Sequence, residues 1–299
     1  MRVGVLLLPT DPWPETVARV QRLEALGYSH VWVYDHLSWQ RYQDRPWHAT
    51  HPWLAGLTQR TESIRLGTMV SNPNLRHPLL LAKDAMTIDH LSDGRLTLGL
   101  GAGGTGFDAS VLGQDPLDPA RRVDRLEELA RLLDGLLRGS VTDHRGDWYE
   151  INDARVLPGC VQQPRLPLAV AAGGARTLRL VAELADAWIT YGDTSYGELS
   201  EAGTERVVLS QRDSLESHCE ALGRDPGSLD RIYLIGNTEA KPLRSIEAFT
   251  DFAGRYEELG FTDIVFHHPR PDDPVWNESP EIVETIAAAM LRPPKRPDC

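Results

Sequence analysis

Short apolar runs alternate along the whole chain with longer stretches whose apolar positions recur every three or four residues. The short runs predict strands at 3–8, 30–34, 64–68, 96–100, 167–171, 187–190, 231–236 and 263–267, because near-continuous apolar sequence suits a strand buried on both faces. The periodic stretches predict helices near 14–26, 52–61, 78–92, 119–138, 175–185, 203–222, 243–259 and 279–291. The stripe is clearest at 119–138, where Val123, Leu126, Leu129, Leu133 and Leu136 share one face. At 175–185, Leu178, Val181, Ala182 and Ala185 are positioned to meet a sheet. Eight strand-helix units of this kind predict an α/β fold, a (β/α)8 TIM barrel, with a doubly wound open sheet as the alternative. No Pro/Ser-rich linker divides the chain, so residues 1–292 are expected to form one domain and 293–299 a flexible tail. Residues 139–166 read as an insertion before the fifth strand, with Trp148-Tyr149-Glu150-Ile151-Asn152 pairing as a small hairpin. The Gly/Asp/Ser-rich stretches 101–118 and 191–202 are expected to be mobile loops at the site.

Composition narrows the function classes. The 299 residues carry 31 Lys and Arg against 43 Asp and Glu, a net charge of -12. That balance argues against nucleic acid or an anionic membrane surface as a partner. Cys160, Cys219 and Cys299 are far apart and match neither a metal spacing nor a disulfide framework, which points to a reducing cytoplasm. The first residues read as a strand rather than a signal peptide, and no apolar run is long enough to span a bilayer.

A barrel builds its site from the loops at the carboxyl ends of its strands. Here those segments bring Trp13, then Asp35-His36 and Trp39, then Met69-Val70-Ser71-Asn72, then Gly101-Ala102-Gly103-Gly104, then Ala172-Gly173-Gly174-Ala175, and last His267-His268-Pro269. Glycines at a strand-to-helix junction let a phosphate approach free amides at a helix N-terminus, although a tight turn uses the same pair. His36 at a strand end suits acid/base work or alkoxide stabilisation, and equally a structural hydrogen bond. Trp13 and Trp39 are candidate walls of an apolar substrate pocket, with Trp47 and Trp53 nearby in sequence; Trp53 also fits a core-facing helix position. No metal site is expected, since the Asp, Glu and His positions lack ligand spacing. Neither a Walker sequence nor a G-x-S-x-G elbow is present. The glycines at 99–104 lack the acidic partner of a dinucleotide fingerprint.

At these residues the chain resembles the luciferase-like oxidoreductases, barrels that use FMN or the deazaflavin coenzyme F420. The matching pieces are Leu8-Pro9-Thr10-Asp11-Pro12, Gly27 to His36, Gly67-Thr68 through Arg76-His77-Pro78, Asp93 to Gly101, and Pro164-Arg165-Leu166-Pro167 leading to Ala172-Gly173-Gly174. A weaker echo lies at Leu259 to Asp263. Leu-Pro-x-Asp-Pro and Asp-His are most similar to the deazaflavin branch. The resemblance implies hydride transfer between coenzyme F420 and a small organic substrate, or alternatively an FMN-dependent monooxygenase fed by a separate flavin reductase. It implies a cis peptide at Met69-Val70 against the ring system, with Ser71 and Asn72 also binding the cofactor. His36 would serve the reacting carbon, Asp35 would hold the ring or the histidine, and Gly101, Gly103 and Gly104 would approach the cofactor. Ala172, Gly173, Gly174 and Ala175 would hold its phosphate. A homodimer is also implied. The sugar-phosphate branch carries a Glu after strand four. Here that position falls near Gly104, and Asp108 is only a loose substitute, which argues against a sugar-phosphate substrate.

Overall fold

The strand-helix alternation closes on itself. A computed structural model of the chain describes residues 1–39, 42–104, 107–139, 141–192 and 200–291. In chain order the elements are β1 (Arg2–Leu7), α1 (Trp13–Ala25), β2 (His30–Val33), α2 (Thr50–Thr58), β3 (Arg65–Thr68), α3 (Pro78–Leu91), β4 (Leu96–Leu100), α4 (Phe107–Val111), α5 (Pro119–Leu137) and the pair β5 (Thr142–Arg145) and β6 (Glu150–Ala154). They continue with β7 (Leu168–Ala171), α6 (Ala175–Leu184), β8 (Ala187–Thr190), α7 (Glu201–Ala221), β9 (Asp230–Leu234), α8 (Ile246–Glu258), β10 (Asp263–His267) and α9 (Glu281–Met290). Strands pair in parallel in the order β1-β10-β9-β8-β7-β4-β3-β2 and return to β1, an eight-stranded closed TIM barrel. The open-sheet alternative is thereby excluded.

Local chemistry sets the helix ends. Asp118, Ser200 and Ser245 each accept a hydrogen bond from a backbone amide of the first helical turn, in α5, α7 and α8. The Ser245 cap moves the start of α8 to Ile246 from the expected 243, and residues 242–244 form a short 3-10 turn. Two helices stop at the same Leu-Gly-aromatic sequence. Gly27 and Gly260 adopt φ of 88° and 89°. The next amides, of Tyr28 and Phe261, reach back to Leu23 and Tyr256 carbonyls at 3.1 and 3.0 Å. A left-handed residue there turns the aromatic into the core, which glycine allows without a Cβ penalty.

Two apolar layers result. The larger lies between helices and strands and holds the α5 stripe, with Leu126, Leu129, Leu133 and Leu136 fully buried. The smaller fills the barrel interior with Leu6, Trp32, Met69, Ile189, Ile232 and Val265 among others. Trp32 occupies this space because Gly4 and Gly67 carry no side chain: a Cβ on Gly67 would overlap its ring. The insertion forms the β5-β6 hairpin, with Arg145 opposite Glu150, so Trp148 and Tyr149 fall in its turn rather than in a strand. Among the described residues no helix is long and apolar enough to cross a membrane. The expected tail at 293–299 lies outside the described residues, as do residues 193–199 of the 191–202 loop and residues 105–106 of the 101–118 loop.

Candidate active site

The carboxyl ends of the strands surround a cavity of about 1130 Å³. The segment after β2 contributes Tyr34, His36 and Trp39, and that after β3 contributes Met69, Val70 and Asn72. β4 is followed by the lining glycines Gly101, Gly103 and Gly104, and β7 by Ala172 and Gly173. Behind this wall, Asp35 ties the loops together. Its carboxylate accepts from Ser71 Oγ (2.7 Å) and from Arg76 Nη2 (2.9 Å), while its carbonyl accepts from Asn72 Nδ2 (3.3 Å). Burial opposes the Asp35 charge, but Arg76, His51 and Ser71 outweigh it and hold the carboxyl below its ordinary value. The Arg76-His77-Pro78 sequence thus divides its labour. Arg76 pairs with Asp35, His77 Nδ1 accepts from the Leu79 amide at the start of α3, and Pro78 occupies the first helical turn.

His36 stands at the cavity with its Nδ1 2.6 Å from Asp108 Oδ2. The other Asp108 oxygen accepts from the Leu37 amide at 3.0 Å. A carboxylate only accepts, so the Nδ1 proton points to Asp108. Nε2 is then left as the acceptor, and among the described residues it has no hydrogen-bond partner. Asp108 itself is buried, on α4.

The peptide between Met69 and Val70 is cis. Val70 lies against Gly101, where an added Cβ would collide with its methyl. A Cβ on Gly103 would meet Asn74 Nδ2 at 2.7 Å. Arg122 Nη1 donates to the carbonyls of Gly103 and Gly104, each at 2.6 Å, and fixes this loop. Beside this loop, after β7, Gly173 is exposed and α6 begins after Gly174 with no side chain capping it, so its leading amides remain open donors.

The remaining side is aromatic. Trp39 lies 5.1 Å from Tyr34 and 5.9 Å from Trp276 between ring centroids, and Trp276 stacks on His267 at 3.8 Å. Burial first, and Arg270 second, push the His267 imidazole well below its ordinary value, so it stays neutral, with Nε2 2.9 Å from Tyr34 Oη. Asp273 fixes the loop that carries Trp276, accepting from the Val275 and Trp276 amides and from Tyr42 and Arg270. Burial opposes this charge, but those bonds hold the carboxyl far below the usual carboxylate range.

The structure brings His36, Trp39, Met69, Val70, Asn72, Gly101, Gly103, Gly104, Ala172 and Gly173 to the cavity. Gly174 and Ala175 sit beyond its lining at the start of α6. Three expectations are corrected. Trp13 walls α2 instead of the cavity, because Gly56 leaves a space that its ring fills. Asp35 does not orient His36; its oxygens face Ser71 and Arg76, and Asp108 takes the orienting position. Ser71 lies behind the wall, fully buried, and its backbone bridges to β4. Asn72 uses its amide on Asp35 O and the Asn74 amide. Sequence reasoning placed His267 at the rim without a role and missed Trp276 and Asp108 as a partner. Asp108 carried the only signal, an acid in the glycine-rich loop. Among the described residues no cluster of His, Cys, Asp and Glu could hold a metal ion.

Comparison with known proteins adds to this geometry. A family model described as luciferase-like monooxygenase matches residues 1–233. The 4-hydroxyprotoasukamycin monooxygenase of Streptomyces nodosus subsp. asukaensis is 34% identical over 174 residues, which cover 57% of this chain and 45% of that protein. The matched region therefore spans less than half of that relative's length. An F420-dependent glucose-6-phosphate dehydrogenase of Beutenbergia cavernae is 28% identical over 296 residues, covering 85% of this chain and 87% of the relative. Among solved structures, an F420-dependent secondary alcohol dehydrogenase in complex with an F420-acetone adduct shares the fold at a TM-score of 0.76 and 16% identity, covering 99% of each chain.

Proposed function

The chain belongs to the luciferase-like monooxygenase family, and from that premise we propose that it moves a hydride between coenzyme F420 and a small alcohol or ketone. The observation that carries the reading is the His36–Asp108 pair at the mouth of a cavity of about 1130 Å³. That volume exceeds the common range for a single small ligand and suits a tricyclic cofactor beside a substrate.

The residues present fit such a group. Val70 and Gly101 form a surface with no room for a further Cβ, and Gly103 and Gly104 expose backbone held by Arg122. The uncapped start of α6 beside Gly173 supplies amides and a helix dipole for a phosphate. When bound, the deazaflavin supplies the hydride acceptor or donor. The protein handles the proton. His36 Nε2 takes it from a substrate hydroxyl on oxidation and returns it to a carbonyl oxygen on reduction, while Asp108 keeps Nδ1 protonated and stabilises the charged ring.

The similarity to a monooxygenase relative favours a second reading. In it the same cavity takes FMN reduced by a separate flavin reductase. One experiment separates the two. Coenzyme F420 and FMN are each titrated into the purified protein, followed by fluorescence quenching and calorimetry. Micromolar binding of F420 with alcohol-dependent reduction supports the first reading. Selective FMN binding with substrate-dependent oxygen uptake replaces it with the second.

A further inference from the structure

The cavity also selects a class of substrate, and this inference rests on the hydride-transfer reading. Among the described lining residues few side chains carry charge. Arg122 is the one Lys or Arg among the described lining residues. Its Nη1 is committed to the Gly103 and Gly104 carbonyls, which holds the guanidinium at that loop, and its Nε is buried without a partner. Asp108 is engaged by His36 and Leu37, and His267 is held neutral by burial. A phosphate dianion seated at His36 would lose its water beside the buried Asp108 carboxylate, 2.6 Å from that ring, which is unfavourable.

The apolar side offers the opposite. Trp276 stacks on His267 at 3.8 Å, and Trp39 lies 6.2 Å from His267 and 5.9 Å from Trp276, tilted 40° to the latter, with Tyr42 6.1 Å from Trp39. Ile189, Leu234 and Val275 extend the apolar lining. The wall begins close to the catalytic histidine, since the Tyr34 ring lies 6.0 Å from that of His36 and 5.1 Å from Trp39. Together these rings make one continuous aromatic wall. Asp273 and Arg270 hold this wall rigid, with the Arg270 guanidinium 5.3 Å from the Trp276 ring centre. Rigid aromatic surface favours flat or cyclic hydrocarbon through burial and offset stacking.

We infer that the cavity takes an uncharged, ring-bearing alcohol or ketone and excludes sugar phosphates. Its carbinol or carbonyl carbon sits at His36 and its ring against Trp39 and Trp276.

The test titrates the purified protein with benzyl alcohol, cyclohexanol and glucose 6-phosphate, with and without coenzyme F420, by tryptophan fluorescence and calorimetry. Both neutral alcohols are expected to bind, and glucose 6-phosphate to show no saturation at millimolar concentration. Trp276→Ala should weaken the alcohols about tenfold or more, equivalent to about 1.4 kcal/mol, with F420 affinity unchanged. Trp276→Leu keeps apolar bulk if the smaller variant fails to fold, and should weaken benzyl alcohol more than cyclohexanol. Saturable binding of glucose 6-phosphate would overturn the inference. So would alcohol binding indifferent to both substitutions. If ring-dependent alcohol binding persists while F420 fails to bind, the hydride-transfer reading falls and the substrate class stands. If F420 binds and the sugar phosphate saturates, only the substrate class falls.

Discussion

The two ends of the barrel use polar groups in opposite ways. At the amino ends of the strands, arginines are spent on protein. Arg2 forks onto Asp263 at 2.8 and 2.6 Å. Arg95 donates to the carbonyls of Thr58, Thr61, Ile64 and Ser92 and to Thr61 Oγ1. Arg165 joins Asp134, Asp186 and the Leu184 carbonyl, and buried Asp89 accepts from the Val161 and Gln162 amides. At the carboxyl ends, lining residues keep unused capacity: Ser38 Oγ, Arg122 Nε and His267 Nδ1 are buried without partners. One end is satisfied by its own loops, whereas the other is left for a ligand to complete. Unsatisfied buried polar atoms are costly, and three of the nine found among the described residues belong to cavity-lining side chains.

The sharpest test of this contrast is His36→Ala. Turnover should fall about 100- to 10,000-fold, the range for losing a positioned acid/base, while urea unfolding shifts by about 1–3 kcal/mol because buried Asp108 loses its partner. Unchanged turnover with cofactor binding retained would make His36 structural. Asp108→Asn keeps the shape but weakens the hold on the Nδ1 proton, and should lower kcat by about 10- to 100-fold, by analogy with groups that orient a ligating imidazole. At the opposite end, Arg95→Ala should cost about 3 kcal/mol of stability, because several backbone acceptors lose their donor together. Calorimetry should show its F420 affinity intact; a selective loss of affinity would mean that the ends are coupled.

Gly101→Ala probes the boundary between scaffold and site. Its Cβ must displace Val70, so stability should drop by about 1–3 kcal/mol, with weaker cofactor binding measured by fluorescence quenching. A pH dependence to which both ends contribute tests the two together. Burial first, then Arg65 and Arg2, lowers His30 to about 3, and burial with Arg19 lowers His268 to about 4. The unfolded chain protonates these rings near pH 6.5, where it binds more protons than the native state, so stability should fall as pH drops from about 6.5 toward 4. His30→Gln and His268→Gln should each flatten part of that slope in urea titrations. Asp35 adds a lower window: its folded value is depressed, so the Arg76 contact stabilises above about pH 4 and is lost as pH falls through that depressed value.

Much of the scaffold is legible in the sequence because its signals are local. The eight barrel strands fall within two residues of the runs expected from apolar continuity, and α5 and α6 bury the expected stripes, with Val123 only half-buried at the edge. The four-residue strand β5 and the one-turn helix α4 leave no such signal, since Thr142–Arg145 is polar and Phe107–Val111 is too short to show a period. Individual glycine and histidine positions at the strand ends are also readable, and the family resemblance supplies the place of the cis peptide that the structure contains at Met69-Val70.

The partnerships of those residues are not readable. His36 and Asp108 are 72 positions apart, and Trp39 meets Trp276 only because closing the barrel sets the loop after β2 beside the loop after β10. Adjacent Asp35 is the natural companion of His36 in sequence, yet successive residues leaving a strand point to opposite sides, and Asp35 turns inward to Arg76. Sequence proximity puts Trp13 at the pocket, whereas its ring fills the space above Gly56. The sequence by itself determined the strand-helix alternation and the strand ends where chemistry could occur, because periodicity and capping act over a few residues, while closure of the strands into a barrel came from the structure. Tertiary structure alone decided which carboxylate orients His36 and which rings line the cavity, because those contacts join segments that meet only when the eight strands close.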